Sequence, residues 1–271
     1  MTPLPTKTSS AHDSATDRRA ESAFDLRDVS VGFPGGEQLV LSGVLLSIRH
    51  GEFVSFVGPS GCGKSTLLRL LAGLLSPSGG VLSRDESLRD GDVSHIGFVF
   101  QHPTLLPWRT AAQNIRLPLE LGRTRNHREL PDGQITQRLE QVGLAPSDAF
   151  KRPPQLSGGM QMRLSLARAL ATDPSVLLLD EPFAAVDDLL RLKLQEDIRR
   201  LHQECGLTTV LVTHNLQEAV FLSDRVFVLA GTPSSVAAEM AVDWAGDRNT
   251  EFRNSPVFGE CSRRLAAALF K

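Results

Sequence analysis

Residues 58–66, GPSGCGKST, have the spacing of a loop that binds the phosphates of a nucleotide. Gly61 and Gly63 allow the backbone to curl, so that successive N–H groups point at phosphate oxygens. Lys64 carries a charge that can reach the β- and γ-phosphates, and the Ser65 hydroxyl can ligate Mg²⁺. An apolar segment precedes the loop and a helical segment follows it, which is the context that the motif requires. The sequence therefore predicts that a nucleoside triphosphate binds Gly58, Pro59, Ser60, Gly61, Cys62, Gly63, Lys64, Ser65 and Thr66.

Two adjacent carboxylates follow the apolar segment SVLLL. Asp180 ends a predicted buried strand, at the edge of an open α/β sheet where ligands bind. Its carboxylate can meet a magnesium ion beside Ser65, and Glu181 is free to polarise a water in line with the γ-phosphate. An Asp-Glu pair at a strand end is often only a solvated turn, so this interpretation depends on the phosphate loop in the same chain.

Three single residues stand at corresponding places in the pattern. Gln101 ends the segment IGFVFQ, where its amide could contact the metal and the attacking water. His214 ends TTVLVTH and could donate a hydrogen bond to the γ-phosphate. Phe33 precedes PGG and could stack on a purine, a contact worth about 1–3 kcal/mol by analogy with base–aromatic stacking. Taken alone, each has a structural alternative: a polar strand end, a satisfied core histidine and a packed aromatic ring.

The composition indicates a soluble globular protein of 271 residues, with 41% hydrophobic and 22% charged residues. A net charge of −2 gives no sign of a basic surface, so no nucleic-acid partner is expected. No apolar run approaches the ~20 residues that span a bilayer. Three separated cysteines favour a reducing cytoplasm over secretion.

The elements that would position these residues follow three patterns. Residues 24–49 are strand-like and are interrupted by the turn PGGEQ, which predicts an antiparallel pair. Residues from about 102 to 163 have helical periodicity and several prolines, which indicates an inserted helical subdomain. From residue 175 onward, strands and helices alternate, and this alternation predicts a parallel sheet with right-handed crossovers.

These patterns divide the chain into three parts. Residues 1–22 are rich in Ser, Thr, Pro and charge, and we expect a disordered tail without a signal peptide. Residues 23–245 form the predicted catalytic domain, which includes the helical subdomain at about 102–163. Residues 246–271 form a C-terminal extension, in which ECSRRLAAALFK is the expected closing helix.

In this order, the motifs resemble the ATP-binding cassette of ABC transporters over about residues 24–231. GPSGCGKST is similar to the Walker A loop, and VLLLDEP is similar to Walker B with its catalytic glutamate. Gln101 matches the Q-loop, and His214 matches the switch histidine. LSGGM resembles the family signature, AAVD ending at Asp187 resembles the D-loop, and Phe33 lies where the family has its adenine-stacking aromatic. The implied fold is α/β: a RecA-like P-loop NTPase core with a parallel sheet, an N-terminal antiparallel β segment and an inserted helical subdomain.

This chain departs mildly from the family pattern. Phe33 replaces the frequent Tyr, Met160 a Gln, Val186 a Leu and Asn215 an Asp. None of these changes removes a group that does chemistry, so the resemblance implies an active ATPase with ATP and Mg²⁺ as cofactors. The implied catalytic residues are Glu181, His214 and Gln101, and the implied metal ligands are Ser65, Gln101 and Asp180.

The signature poses a question, because a serine and two glycines at a helix start are a second anion site in one chain. The resemblance implies an answer: two cassettes pair head-to-tail, and each nucleotide lies between the P-loop of one and the signature of the other. Ser157, Gly158, Gly159 and Asp187 would then contact the nucleotide that the partner binds. A two-fold pair of identical chains completes both sites through one isologous interface.

The resemblance also implies further partners. These are a second ABC subunit, most simply a second copy, an integral membrane permease that contacts HPTLLPWRT, and, indirectly, a solute-binding protein. The chain would lie peripherally on the cytoplasmic face of the inner membrane.

Segments such as TLLPWRT look most like the importer branch for nitrate, sulfonate and taurine, with metal-ion and amino-acid importers as alternatives. The competing function is a non-transport ABC-type ATPase that acts on a nucleic-acid or protein complex. Only about fifty-five residues separate Gln101 from Leu156, without a heptad run, which disfavours that alternative.

Overall fold

The computed structural model describes residues 22–32, 38–88, 95–121, 130–184 and 186–269. Phe33 lies outside the described residues, as do residues 1–21 of the expected tail, most of the turn PGGEQ and Ala185 of the segment AAVD. Expectations for these positions stay predictions.

The described residues form nine strands and eight α-helices. The strands are β1 (Ser22–Gly32), β2 (Leu39–Arg49), β3 (Phe53–Val57), β4 (Gly79–Arg84), β5 (Ile96–Val99), β6 (Val176–Asp180), β7 (Thr208–Val212), β8 (Arg225–Gly231) and β9 (Ser234–Ala241). The helices are α1 (Lys64–Leu71), α2 (Ala111–Leu121), α3 (Asp132–Gln141), α4 (Gly158–Ala169), α5 (Asp188–Cys205), α6 (Leu216–Leu222), α7 (Thr250–Arg253) and α8 (Pro256–Leu269). In the described part of the chain, every helix is too short or too polar to cross a bilayer.

The nine described strands belong to one sheet, in the order β4-β1-β2-β9-β8-β3-β7-β6-β5. Within the run β8-β3-β7-β6-β5, each strand is parallel to the next. At the other end, β1 pairs antiparallel with both β2 and β4. The predicted α/β fold, with a parallel core sheet and an N-terminal antiparallel segment, is therefore confirmed.

The central strands are buried on both faces of the sheet, as β3 shows. All five residues of β3 are buried, and successive side chains point to opposite faces. Phe53 and Val57 belong to one hydrophobic cluster, whereas Val54 and Phe56 belong to a second cluster on the other face. A sheet sealed on both sides exposes its strand ends, so the carboxyl ends of β3, β5, β6 and β7 form the edge that can receive a ligand.

Between β5 and β6 the chain is helical. Helix α2 packs against α4, and α3 also packs against α4. Helix α4 begins at Gly158 and continues to Ala169, so the helix that carries the signature crosses the predicted boundary at residue 163. The division into domains stays a prediction.

Two features of residues 232–269 differ from the sequence-based expectations. Strand β9, which we did not expect, pairs antiparallel with β8, where its tertiary partner compensates for a weak alternating pattern. The closing helix begins at Pro256 rather than at Glu260. Proline is favourable in the first turn, and the Ser255 hydroxyl caps the helix by accepting from the Phe258 N–H at 3.2 Å.

Candidate functional site

The phosphate loop connects the end of β3 to the start of α1. Gly61 and Gly63 have φ angles of 80° and 93°, which L side chains rarely adopt. A Cβ atom at Gly63 would also lie 2.8 Å from Val40 Cγ1 and 2.9 Å from Leu41 Cδ2. The turn that aims the backbone N–H groups into the loop therefore requires glycine at position 63.

Lys64 is the cation of this loop, and it is only 5% exposed. Its ammonium group donates to the carbonyl oxygens of Gly58 and Pro59, at 2.9 Å each. Both acceptors are neutral carbonyls of the loop itself. The buried ammonium therefore keeps its positive charge uncompensated by these two contacts, which suits an anionic ligand.

Ser65 and Asp180 meet although 115 residues separate them. The Ser65 hydroxyl donates to Asp180 Oδ1 at 2.8 Å, which joins the first turn of α1 to the end of β6. Burial raises the pKa of Asp180, and the hydrogen bond from Ser65 opposes this shift only in part. A cation beside this carboxylate would offset the cost of its burial.

The oxygen atoms at this edge fit magnesium better than a transition metal. In the described residues, no group of three or more His, Cys, Asp or Glu side chains could hold a metal ion. Magnesium binds through one or two carboxylates together with waters and substrate phosphates, so a hydroxyl, a carboxylate and an amide suffice. Ser65, Asp180 and Gln101 supply these groups.

Glu181, which follows β6, contacts side chains that follow β5 and β7. Its Oε2 lies 3.2 Å from His214 Nδ1, and it accepts from Gln101 Nε2 at 3.5 Å. The Glu181 φ angle is 45°, a left-handed conformation that is rare outside glycine. Its N–H donates to the Val212 carbonyl at 2.9 Å, which fixes this backbone against β7. Strain of this kind clusters at functional sites.

His214 is not a core residue, because 63% of its side chain is exposed. It follows β7 at the same edge where Gln101 follows β5 and Glu181 follows β6. The structure thus brings Gln101, Glu181 and His214 together within one chain, beside the Ser65–Asp180 contact. The arrangement can polarise a water molecule and orient it toward a phosphate held by the loop.

The signature residues lie apart from this group. Ser157 caps α4, and its hydroxyl accepts from the Met160 N–H at 3.3 Å. Asp187 caps α5 in the same way and accepts from the Leu190 N–H at 3.1 Å. Both side chains are exposed. Across the described ranges, no hydrogen bond or ion pair joins Ser157, Gly158 or Gly159 to the phosphate loop.

Three residues near Glu181 and His214 were missed by the sequence reasoning: Thr213, Glu218 and Arg191. The Thr213 hydroxyl donates to the buried Glu218 carboxylate at 2.5 Å, and Arg191 lies 3.9 Å from that carboxylate. A local signal existed for Glu218, because it stands three residues after the helix cap Asn215, which is the spacing of a capping box. Arg191 had no such signal.

The segment after Gln101 forms a loop that a buried asparagine fixes. Asn114 accepts from the Leu106 N–H at 2.8 Å, and its amide donates to the carbonyls of Leu106, Arg109 and Thr110. The loop presents Trp108, which is 68% exposed. The exposed indole offers apolar contact area, and the contact of this segment with a permease stays a prediction.

Known proteins are similar to this chain over most of its length. A family model described as ABC transporter matches residues 41–184. The aliphatic sulfonates import ATP-binding protein SsuB 1 of Xanthomonas axonopodis pv. citri is 46% identical over 234 residues, which are 86% of this chain and 92% of that protein. The nitrate import ATP-binding protein NrtC of Synechococcus elongatus is also 46% identical over 234 residues. The match covers 85% of this chain but 35% of NrtC.

A solved structure has the same architecture. The dimeric post-hydrolysis state of the ATP-binding cassette MJ0796, bound to ADP and Pi, aligns with a TM-score of 0.70 at 34% identity. The alignment covers 82% of this chain and 99% of that chain. The fold, the site geometry and these matches lead to one conclusion: the chain belongs to the ABC transporter family and contains its ATPase domain.

Proposed function

We propose that this chain is the ATP-hydrolysing subunit of an importer for small anionic solutes. One observation carries the ATP-hydrolysing part of the proposal: the phosphate loop, the Ser65–Asp180 contact and the group Gln101, Glu181 and His214 meet at one edge of the parallel sheet. This is the arrangement that phosphoryl transfer to water needs, since it combines phosphate binding with a positioned carboxylate.

In this proposal the phosphate loop holds the triphosphate of ATP. Lys64 exchanges its two carbonyl contacts for the β- and γ-phosphates, and the loop N–H groups surround the phosphate oxygens. Ser65, Asp180 and Gln101 would hold Mg²⁺, which supplies positive charge to the phosphates when it is bound. Phe33 would stack on the adenine, a role that rests on its position in the sequence.

Glu181 then acts on the attacking water. Its strained backbone and its two side-chain contacts hold the carboxylate at one place, so little reorganisation remains for the reaction. His214 lies beside this carboxylate with most of its ring exposed, and can contact the γ-phosphate. Positioning of the water and of the phosphate is thus divided between Glu181 and His214.

The signature would complete the site of a second copy. In the part of the chain that the structure describes, the side chains of Ser157 and Asp187 form hydrogen bonds only within their own helix ends, and both are exposed. The MJ0796 cassette was solved as a dimer bound to ADP and Pi. In a head-to-tail pair, Ser157, Gly158, Gly159 and Asp187 contact the nucleotide of the other chain, and ATP favours the closed pair because only that pair offers both half-sites.

The loop that presents Trp108 would receive a membrane permease. Asn114 fixes this loop, and Gln101 connects it to the ATP site. We place the chain peripherally on the cytoplasmic face of the inner membrane, with a solute-binding protein as an indirect partner. The solute class is proposed from two relatives, whose names give nitrate and aliphatic sulfonates as their imported solutes.

Two measurements test this function. The purified chain should hydrolyse MgATP, and Glu181→Gln should bind ATP, form pairs and lose about 10²–10⁴-fold in kcat, the usual contribution of a positioned base. Wild-type turnover in that variant would refute the role of Glu181. In a strain that lacks the chain, uptake of nitrate or of an alkanesulfonate should return with the wild type and not with Glu181→Gln. Loss of neither uptake on deletion would refute the proposed solute class.

A further inference from the structure

Arg191 links the segment that precedes α5 to the helix that follows His214. One of its terminal nitrogens donates to the Val186 carbonyl at 3.0 Å, and the other lies 3.3 Å from Asp188 Oδ1. Its Nε faces Glu218 Oε1 at 3.9 Å. Within the described residues this buried Nε has no hydrogen-bond partner, so a small shift of Arg191 would complete the contact.

Glu218 also contacts Thr213, the residue that precedes His214. Glu218 is 5% exposed, and its Oε2 accepts from the Thr213 hydroxyl at 2.5 Å. Burial raises the pKa of Glu218, whereas Thr213 and Arg191 favour its charged form. A buried carboxylate is costly without such partners, so the positions of Arg191, Glu218 and Thr213 depend on one another.

Arg191, Thr213 and Glu218 line the same cavity as Glu181 and His214. A polar cavity of about 100 Å³ is lined by Glu181, Ala184, Arg191, Thr213, His214 and Glu218, together with two neighbours. It has room for water, since one molecule needs roughly 10–15 Å³ of such volume. A movement of Arg191 or Glu218 therefore alters the wall of the cavity beside Glu181 and His214.

We propose that Arg191 and Glu218 are a positioning pair, which transmits the placement of the Val186–Asp187 backbone to His214. The inference rests on the proposed function, in which Asp187 meets the second copy and His214 acts on the phosphate. When Asp187 contacts the second copy, the Val186 carbonyl moves and the Arg191 guanidinium moves with it toward Glu218. Glu218 in turn fixes Thr213, and Thr213 keeps the adjacent His214 beside Glu181. Neither residue of the pair touches the phosphate loop, so the pair acts on turnover and leaves ATP binding unchanged.

The experiment measures the steady-state hydrolysis of MgATP by the full chain. The variants are Arg191→Met, Glu218→Gln and the double variant. The matched control is Arg200→Met, which removes another arginine of α5 that pairs with carboxylates and is half exposed.

We expect each single variant to lose about tenfold in kcat, equivalent to 1.4 kcal/mol, with an unchanged KM for ATP. The double variant should lose no more than the worse single variant, because the pair acts as one unit. The control should keep wild-type kcat.

Several outcomes would overturn the pair. These are wild-type kcat in both single variants, additive losses in the double variant, or a raised KM with unchanged kcat. A thermal melt of each variant separates a loss of folding from a loss of turnover. If Glu218→Gln does not fold, the kcat of Arg191→Met alone tests the pair. Arg191 is partly exposed, so its substitution should disturb folding less. In the Glu181→Gln background, Arg191→Met must bind ATP with unchanged affinity, and weakened binding refutes the pair. Failure of the wild type itself to hydrolyse ATP would instead refute the proposed function.

Discussion

The phosphate loop and the signature are both glycine-rich segments at the start of a helix, yet their surroundings differ. The phosphate loop is tied into the core, since Ser65 reaches Asp180 at the end of β6 and Lys64 is buried. Among the described residues, the Ser157 hydroxyl has one hydrogen bond, which it accepts from the Met160 N–H, and Ser157 is exposed. One helix start is thus organised by contacts across the sheet, and the other only caps its own helix. The difference is consistent with the proposal that the signature contacts a nucleotide bound by a second copy.

The two regions also differ in their buried charge. The phosphate loop region contains a buried ammonium and a buried carboxylate, both of which cost free energy without a ligand. Asp187 and Ser157 are exposed and cost little. Substitutions in the first region should therefore affect folding or ATP binding in one chain, whereas substitutions in the second should affect only the pair.

Among the variants that compare the two helix starts, Lys64→Ala should have the largest effect. Loss of the ammonium removes the positive charge closest to the bound phosphates, so kcat/KM should fall by about 10²–10³-fold. ATP binding by the single chain should fall with it, which titration with a fluorescent ATP analogue measures. Arg69→Ala, in the last turn of the same helix, is the control. Retained ATP binding in Lys64→Ala would place the phosphates elsewhere.

Ser157→Arg should lower turnover without weakening the binding of ATP by a single chain. The arginine blocks the surface that meets the second copy, so hydrolysis should fall by about 10²-fold, the effect of one lost contact to the transition state. Binding of ATP by one chain should keep its wild-type affinity in the same titration. Weakened binding in one chain would mean that Ser157 serves the loop of its own chain.

Two glycine variants compare how much each helix start contributes to stability, with smaller expected effects. Gly63→Ala combines a left-handed backbone with contacts under 3.0 Å to Val40 and Leu41, so we expect a loss of about 1–3 kcal/mol in the free energy of unfolding. Among the described residues, a Cβ at Gly159 would meet no atom closer than 3.5 Å, so Gly159→Ala should change the stability by less than about 0.5 kcal/mol. Hydrolysis should fall in both. Urea unfolding curves measure the first quantity, and equal destabilisation would contradict the contrast.

The smallest effect concerns the buried carboxylate. Burial raises the folded-state pKa of Asp180 above its unfolded value, so the charged form destabilises the protein without ligand. The contribution of Asp180 to stability is fully present at a pH below its unfolded-state pKa. It is lost as the pH rises through its folded-state pKa, where the buried carboxylate becomes charged. Asp180→Asn should therefore raise the Tm at neutral pH and lose that gain in acid. Asp187→Asn should leave the Tm unchanged, since asparagine caps helices as well as aspartate does. A Tm lowered at neutral pH by Asp180→Asn would contradict this account of the site.

Much of the site's layout could be predicted from the order of its motifs. Parallel strands share one carboxyl edge, so residues that follow β5, β6 and β7 must lie near one another, and Gln101, Glu181 and His214 do so. Their catalytic roles stay predictions. The Arg191–Glu218 contact could not be predicted, because it joins two helices through tertiary packing and follows no local spacing. Strand β9 was missed for a similar reason, since its pairing with β8 outweighs its own weak pattern.

One measurement tests the central claim that each ATP site combines two chains. Lys64→Ala damages the phosphate loop and keeps the signature, whereas Ser157→Arg damages the signature and keeps the loop. Each purified variant should hydrolyse little ATP alone. A mixture of the two should recover hydrolysis, because a mixed pair contains one intact site built from the loop of one chain and the signature of the other. A mixture no more active than the sum of its components, or full activity of Ser157→Arg alone, would contradict the claim.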